Sequence, residues 1–234
     1  MKKFELTTDS IKGNGTILYR IKSLIDFGDV KAGDFGGYVE KEENLSQYGN
    51  AWVYDDAWVH GDAWVCDDTC VCDDALVCDN ARVYGNTLVS GSACVCGNAR
   101  VCGNAWVYGN AQVYGNALVY GNAQLHENAC VCDDVRVYDN ACIYGNAWVS
   151  GNARVCNDAL VFSNADYICL KSFGSHNRST TMFRGENENI YVSCGCFSGT
   201  LQEFESKVKE THGNSKFARE YLALVEAAKI HFEV

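Results

Sequence analysis

The hydrophobic positions of this chain recur every six residues from about Tyr48 to Asp166. The repeating unit is Gly-Asn-Ala-x-Val-y, as in residues 109–114. The Val position runs from Val53 to Val161 in steps of six, and its exceptions are both aliphatic: Leu125 and Ile143. The small position is Ala except at Thr69, Thr87 and Val135. Nineteen consecutive units without an insertion predict a repeat architecture.

Within each unit, Ala and Val are two residues apart, so in an extended backbone their side chains point to the same side. The Gly-Asn and Asp-Asp pairs between units tolerate left-handed backbone conformations and predict turns. A strand this short cannot pair with its neighbour across such a turn, but it can pair with the strand one full coil later. Three strands per coil give eighteen residues per coil and a triangular prism of about six coils, with Val and Ala filling its interior.

The two ends of the chain depart from the repeat. Residues 1–47 read as strands and turns that cap the first coil, with a clear strand at 16–21. Residues 167–234 predict a small C-terminal α/β domain with strands near 166–170 and 189–194. Thr200 with Glu203 forms a capping box that opens one helix. A second amphipathic helix is expected from Ser215 to about 230, with one apolar face: Phe217, Tyr221, Leu222, Val225 and Ala228.

An aliphatic residue followed four places later by a small one, as in Val53 and Ala57, resembles the hexapeptide-repeat superfamily. The resemblance implies a left-handed parallel β-helix, so the expected fold class is mainly β. The stretch from Asp29 to Ser46, with Gly36-Gly37-Tyr38-Val39, looks like the entry segment of YdcK-like hexapeptide proteins. The run Cys194-Gly195-Cys196-Phe197 with Thr211-His212-Gly213 looks like a tail found on phage and prophage proteins.

Charge and cysteine content narrow the function classes. The net charge is −11 and the pI about 4.8, so direct nucleic-acid binding and anionic membranes are disfavoured unless a local patch reverses the sign. The chain opens without an apolar leader and contains no apolar run of membrane length. Fourteen cysteines, most of them within a regular repeat, indicate reduced thiols and a cytoplasmic protein.

The eighteen-residue coil sorts exposed positions into rows, and all four basic residues of the repeat fall into one of them. That row is Trp64, Arg82, Arg100, Leu118, Arg136 and Arg154. The adjacent row on the same face contains Tyr84, Tyr120 and Tyr138. One interpretation is that turn carboxylates neutralise the arginines: Asp67, Asp79, Asp139 and Asp158. The other is an Arg/Tyr strip that binds an acidic partner, a phosphate-bearing ligand or another protomer.

The other outward residues also allow two interpretations each. Outward aromatics, among them Trp52, Trp58 and Trp64, are either a contact surface or ladders that stiffen the coil. Stacked corner carboxylates such as Asp55 with Asp73 could hold Ca²⁺ or Mg²⁺, but solvated turn residues explain them better. The outward cysteines of the repeat are expected to be small fillers, because flat ladders do not converge on a zinc ion. No metal or cofactor is expected.

The hexapeptide-repeat resemblance also implies an acyltransferase alternative, which would need a histidine on a loop and a groove for acyl-CoA. No loop interrupts the coils, and His60 and His126 fall on different faces. We therefore expect a non-enzymatic binding or scaffold protein that recognises a protein partner, with a host-defence antagonist of phage origin as one form. The alternatives left open are an acyltransferase-like enzyme, a sponge for a nucleotide signal, an acidic DNA mimic, and self-association into a homo-oligomer.

Overall fold

The structure is a computed structural model that describes residues 2–13, 15–174, 176 and 178–234, apart from the side chain of Asn187. Three longer strands open the chain: β1 (Phe4–Gly13), β2 (Thr16–Ser23) and β3 (Phe35–Val39). Strands β4 to β22 have two residues each: Trp52–Val53, Trp58–Val59, Trp64–Val65, Cys70–Val71, Leu76–Val77, Arg82–Val83, Leu88–Val89, Cys94–Val95, Arg100–Val101, Trp106–Val107, Gln112–Val113, Leu118–Val119, Gln124–Leu125, Cys130–Val131, Arg136–Val137, Cys142–Ile143, Trp148–Val149, Arg154–Val155 and Leu160–Val161.

The repeat strands form three parallel sheets, and each strand pairs with the strand eighteen residues later. One sheet runs β4-β7-β10-β13-β16-β19-β22, the second runs β6-β9-β12-β15-β18-β21, and the third continues from β3 through β5-β8-β11-β14-β17-β20. The predicted parallel solenoid with three strands per coil is therefore confirmed. The segment before the repeat adds most of another coil, because β3 pairs with β5 and Leu45 bridges to Val65, so the solenoid has about seven turns.

The interior consists of the Val and small positions. From Ala75 to Val161 the Ala and Val residues of these positions have no solvent exposure. The two threonines in the small position, Thr69 and Thr87, lie one coil apart, and their Oγ1 atoms are 3.0 Å from each other. Each buried hydroxyl therefore has a partner, which removes most of the cost of placing it in an apolar core.

The corners explain why both Gly and Asp occupy the first turn position. Gly103 has φ +75° and Asp67 has φ +63°, so both adopt the left-handed conformation. A Cβ at Gly103 would lie 3.0 Å from backbone atoms of Gly121 in the next coil. The carboxylate of Asp67 accepts a hydrogen bond of 2.9 Å from the amide of Gly85 in the next coil, which offsets the strain of its backbone.

The second turn position builds asparagine ladders along the corners. Asn80 donates to Asn98, Asn98 to Asn116, and Asn116 to Asp134, with N···O distances of 3.0–3.2 Å. A second corner continues in the same way from Asn104 through Asn122 and Asn140 to Asp158. Asn recurs at this position because each amide donates to one coil and accepts from the other.

The N-terminal segment satisfies the open carbonyl groups of the first coil. The amides of Tyr38 and Glu40 donate to Ala57 and Val59, and the buried ammonium of Lys3 donates to the carbonyl of Ala51 at 2.8 Å. A side chain at Gly36 would collide with the carbonyl oxygen of Val53, so this contact needs glycine. The cap also corrects one expectation: Trp52 is not an outward aromatic. It is 1% exposed and packs edge-on against Phe4 and Phe27.

The C-terminal part contains a four-stranded antiparallel sheet and two helices. The strands are β23 (Tyr167–Phe173), β24 (Arg178–Arg184), β25 (Ile190–Cys194) and β26 (Phe197–Thr200), and the helices are α1 (Leu201–His212) and α2 (Lys216–Phe232). The capping box of Thr200 with Glu203 is confirmed. The apolar face of α2 differs from the prediction at one position: Phe217 is exposed, while Ala218 and Leu224 are buried with Tyr221.

The sheet of this C-terminal part packs on the last coils of the solenoid. Phe183 belongs to the solenoid core, and Thr181 accepts a 2.9 Å hydrogen bond from the amide of Arg154. His231 on α2 lies 2.9 Å from the carbonyl oxygen of Ala165. The C-terminal part therefore caps the second end of the solenoid. Within the described ranges, neither helix combines the length and apolarity needed to cross a bilayer.

The corner geometry predicts an unusual order of stability for two substitutions. Gly103→Ala should lower the free energy of unfolding by about 1–2 kcal/mol, because a Cβ is strained at this φ. Gly103→Asp should be more stable than Gly103→Ala by about 1 kcal/mol, because its carboxylate can accept from the amide of Gly121, as Asp67 does from Gly85. Urea unfolding of both variants measures the difference. An Asp variant less stable than the Ala variant would contradict this account of the corner.

Candidate ligand-binding site

The predicted row of arginines is aligned in the structure. In one sheet Trp64 pairs with Arg82, Arg82 with Arg100, Arg100 with Leu118, Leu118 with Arg136, and Arg136 with Arg154. Adjacent members are one strand spacing apart, about 4.8 Å. Arg82, Arg100 and Arg136 are exposed, and Arg154 is half-buried. The fold thus holds like charges side by side on one face.

The turn carboxylates expected to neutralise this row have other partners. Those of Asp67, Asp79 and Asp139 accept hydrogen bonds from backbone amides one coil later, and that of Asp158 accepts from Asn140. Among the residues that the structure describes, no carboxylate oxygen lies within 4.0 Å of a guanidinium nitrogen of the four arginines. Internal pairing with these carboxylates, one of the two interpretations of the row, is therefore not observed.

The tyrosines of the adjacent row have intermediate exposure. Tyr120 and Tyr138 stack with ring centroids 5.0 Å apart and planes 7° from parallel. Both are half-buried, and desolvation raises the pKa of each phenol. Tyr138 also packs against the solenoid core. Tyr84 is also half-buried and lies toward the other end of the face. Tyr120 and Tyr138 therefore pack on each other, while three of the four arginines in the adjacent row are exposed.

A cleft of about 710 Å³ lies where the arginine row meets the C-terminal part. Arg136 and Arg154 line it from the solenoid, and Arg178 lines it from the first residue of β24. Asp134 is the one carboxylate among the described lining residues, which also include Asn152 and Cys196. Three guanidinium groups and one carboxylate give the lining a net charge of +2. The cleft is therefore positively charged, although the net charge of the protein is −11.

Gly195 contacts two of the three arginines. Its carbonyl oxygen accepts a 2.9 Å hydrogen bond from Nη1 of Arg154, which orients that guanidinium. The Arg178 side chain passes beside its Cα, and its φ of +65° is the reason that the turn between β25 and β26 favours glycine. The sequence did not indicate Arg178 as a site residue, because nothing in the local pattern places the C-terminal sheet against the solenoid face.

A second, more apolar pocket of about 390 Å³ adjoins this cleft, and Arg178 and Cys196 line both. It enters the C-terminal part between its sheet and the two helices. Aromatic and basic groups make up most of its lining: His176, Phe197, Phe204, Lys207, His212 and Tyr221. The two cavities together offer a cationic end and an aromatic end within one region of the surface.

Another outward row of the solenoid is an aromatic ladder. Tyr108, His126 and Tyr144 stack in sequence with centroid distances of 4.9 and 5.2 Å, and Phe162 extends the row. Nε2 of His126 also lies 3.4 Å from Sγ of Cys142. His126 is therefore part of a packed ladder and does not project freely into solvent. The expected alternative of ladders that stiffen the coil accounts for this row.

Three of the repeat cysteines lie close together on one sheet of the solenoid. The sulfur atoms of Cys78, Cys94 and Cys96 all lie within 4.8 Å of one another. Cys94 and Cys96 flank Val95 in β11, and Cys78 lies one coil earlier, in the position equivalent to Cys96. Hydrogen bonding from the thiols of Cys78 and Cys96 lowers the pKa of Cys94 well below its usual range. The sequence contained this signal, because the three positions are adjacent once the coil has eighteen residues.

The unpaired arginine row predicts a salt-dependent effect on stability. Arg100→Gln should raise the free energy of unfolding by about 0.5 kcal/mol at low ionic strength, since Arg82 then loses a like-charged neighbour. Screening should remove the gain near 0.5 M salt. The matched control is Leu118→Gln, which introduces the same residue in the next strand of the row without a change of charge. A loss of stability for Arg100→Gln at low salt only would show that the guanidinium has an attractive partner.

A family model described as the YdcK beta solenoid repeat matches four segments of this chain, residues 75–91, 93–109, 111–127 and 135–151. Each segment is about one coil long, and together they cover under a third of the chain. The matches lie in the repeat itself, beyond the 29–46 segment on which the sequence resemblance rests. No curated protein matches the chain. The resemblance of residues 194–213 to phage tails stays a prediction. These four segments of the solenoid are thus similar to the YdcK beta solenoid repeat.

Proposed function

We propose that this chain is a binding protein that sequesters a phosphorylated small molecule of the nucleotide class in the cleft between the solenoid and the C-terminal part. The observation that carries the proposal is the convergence of Arg136, Arg154 and Arg178 beside an aromatic pocket that shares Arg178. This is the nucleotide-sponge alternative of the sequence analysis. The proposed site is now one end of the arginine row, where the sequence analysis considered the whole row.

The charge distribution supports an anionic ligand. A guanidinium group presents a planar set of donors that matches two oxygens of a phosphate. Asp134 offsets one of the three positive charges, and its two carboxylate oxygens accept from Asn116 and Asn152, so it does not form an ion pair with the arginines. An anion that enters the cleft meets three cationic groups, one of which, Arg154, is already oriented by Gly195. Such preorganisation lowers the entropic cost of binding.

The adjoining pocket supports a ligand that carries a flat, apolar group. The rings of Phe197 and Phe204 lie 5.2 Å apart with their planes tilted by 53°, and Tyr221 meets Phe204 edge-on at 5.6 Å, so the pocket has aromatic walls. A nucleobase combines an apolar face with polar edges and stacks well on such walls. The volumes of the cleft and the pocket lie within the range of small-molecule sites. A nucleotide combines phosphate groups, which suit the cationic cleft, with a base, which suits the adjoining aromatic pocket.

An acidic protein partner is the second candidate. The residues at the other end of the arginine row, away from the cleft, favour it. Trp64 is 42% exposed and pairs with the exposed Arg82. Trp and Arg are the residue types most often found at the energetic centre of protein interfaces. This candidate retains the expectation of a protein partner, such as a host-defence factor, and of contact with another protomer. Binding there would depend on Arg82 and Arg100, and binding in the cleft would not.

Calorimetric titration with ATP tests the proposed site. The full chain should bind ATP, and Arg136→Gln or Arg178→Gln should weaken binding about 10–100-fold, the effect of one lost charge-assisted hydrogen bond. The matched control is Arg82→Gln, the same substitution in the same row, four coils or about 19 Å from Arg154, and it should leave the affinity unchanged. Adenosine and inorganic triphosphate should each bind more weakly than ATP, because each fills one of the two cavities.

Two outcomes would contradict the proposal. Equal weakening by Arg82→Gln and Arg136→Gln would mean diffuse electrostatic attraction along the row, and absence of ATP binding to the unmodified chain would remove the nucleotide site. Coenzyme A, which also carries adenine and phosphates, is a useful third probe. Much tighter binding of coenzyme A than of ATP would favour the acyltransferase alternative.

A further inference from the structure

We propose that Cys78, Cys94 and Cys96 form a site for one soft, thiophilic metal ion, and that three-coordinate Cu(I) is the ion that suits it. The site lies on the sheet that contains β8 and β11, on a different face of the solenoid from the arginine row. It does not depend on the function proposed for the cleft.

The three sulfurs are spaced as ligands of a single ion require. They lie within 4.8 Å of one another, and metal–sulfur bonds of about 2.3 Å in a trigonal plane need sulfurs about 4.0 Å apart. The difference is small enough for rotation of the side chains about χ1 to close it. Cysteine thiolate is a ligand type that selects Cu(I), zinc and iron–sulfur clusters over hard cations.

The backbone holds the three cysteines in place before any ion arrives. The amides of Cys78, Cys94 and Cys96 donate to carbonyls of the following coil at 3.0, 2.9 and 2.9 Å. Cys78 is 8% exposed, and the other two are half-buried, so the sulfurs are shielded from bulk solvent on one side. A site built on ladder strands is more precise than one built on loops.

The number of ligands decides which ion fits. Among the histidines, cysteines and carboxylates of the described part of the chain, no fourth ligand atom joins the group of three. Structural zinc sites are closed by four protein ligands, so zinc would need a ligand from solvent here. A soft ion that accepts three thiolates needs none. The count therefore favours Cu(I) over zinc.

The other close thiols of the solenoid have different partners. Cys130 donates to the hydroxyl of Tyr114 at 3.4 Å, and Cys132 accepts from Nε1 of Trp148 at 3.2 Å. Hydrogen bonding between the thiols lowers the pKa of Cys70 and raises that of Cys72, and no third ligand atom of the described residues joins this pair. The group at Cys94 is thus distinguished by having sulfur neighbours on two sides.

Competition for Cu(I) against the chromophoric chelator bicinchoninate, with the full chain reduced and kept without oxygen, tests the site. Because the chain has fourteen cysteines, the first equivalent of Cu(I) is the quantity to compare. Cys94→Ser should weaken that first binding event at least about 100-fold. The matched control is Cys102→Ser, which removes a half-buried thiol of the same solenoid that lies between Tyr84 and Tyr120 in its row, and it should change the affinity less than about 3-fold.

X-ray absorption at the copper edge should show three sulfur neighbours at about 2.3 Å for the first equivalent. Equal effects of Cys94→Ser and Cys102→Ser, or two sulfur neighbours in place of three, would overturn the site. First-equivalent binding of Zn(II) tighter than that of Cu(I) would overturn the choice of ion. If circular dichroism shows that Cys94→Ser does not fold, Cys96→Ser replaces it under the same criteria.

Discussion

The pairing of each strand with the strand eighteen residues later is the constraint on which the rest of this structure depends. Before the last coil, most units donate from three amides to the following coil: from the x and y positions to the small and Val positions, and from the second turn residue to the first. The hydrogen bonds therefore continue through the corners and do not stop at the two-residue strands. An extra residue absorbed within a paired strand would move every later side chain to another position of the unit.

This register determines which side chains are neighbours on the surface of the solenoid. Because the same slot recurs one strand spacing away, residues eighteen apart become neighbours whatever their type. The register produces the asparagine ladders, the Tyr108–His126–Tyr144 stack, the arginine row and the Cys78–Cys94–Cys96 group by one geometric rule. The rows differ in what the side chains do there. Asparagines satisfy one another, aromatic rings stack, and arginines repel, so the arginine row is the one that gains from a ligand of opposite charge.

The N-terminal and C-terminal caps differ in what they add to the structure. The N-terminal segment closes one end of the solenoid with Lys3 and Asn44, whose donors meet carbonyl groups of the first coil, and this accounts for it as a stabilising element. The C-terminal part also satisfies the last coil through Thr181, but it brings Arg178 and Gly195 to the end of the arginine row as well. The candidate site is thus composite, with the solenoid and the C-terminal part each supplying part of the charge.

The sequence by itself determined the solenoid, its eighteen-residue coil and the alignment of Arg82, Arg100, Arg136 and Arg154, because an uninterrupted period fixes which residues become neighbours. It also located the helix start at Thr200, where capping is a local interaction. Only the tertiary structure decided that Trp52 is buried, that Phe217 is exposed, that the turn carboxylates bind backbone amides, and that Arg178 completes the cleft. These depend on how nonrepeating segments pack against the coils, and such packing is set by long-range shape complementarity that no local period encodes.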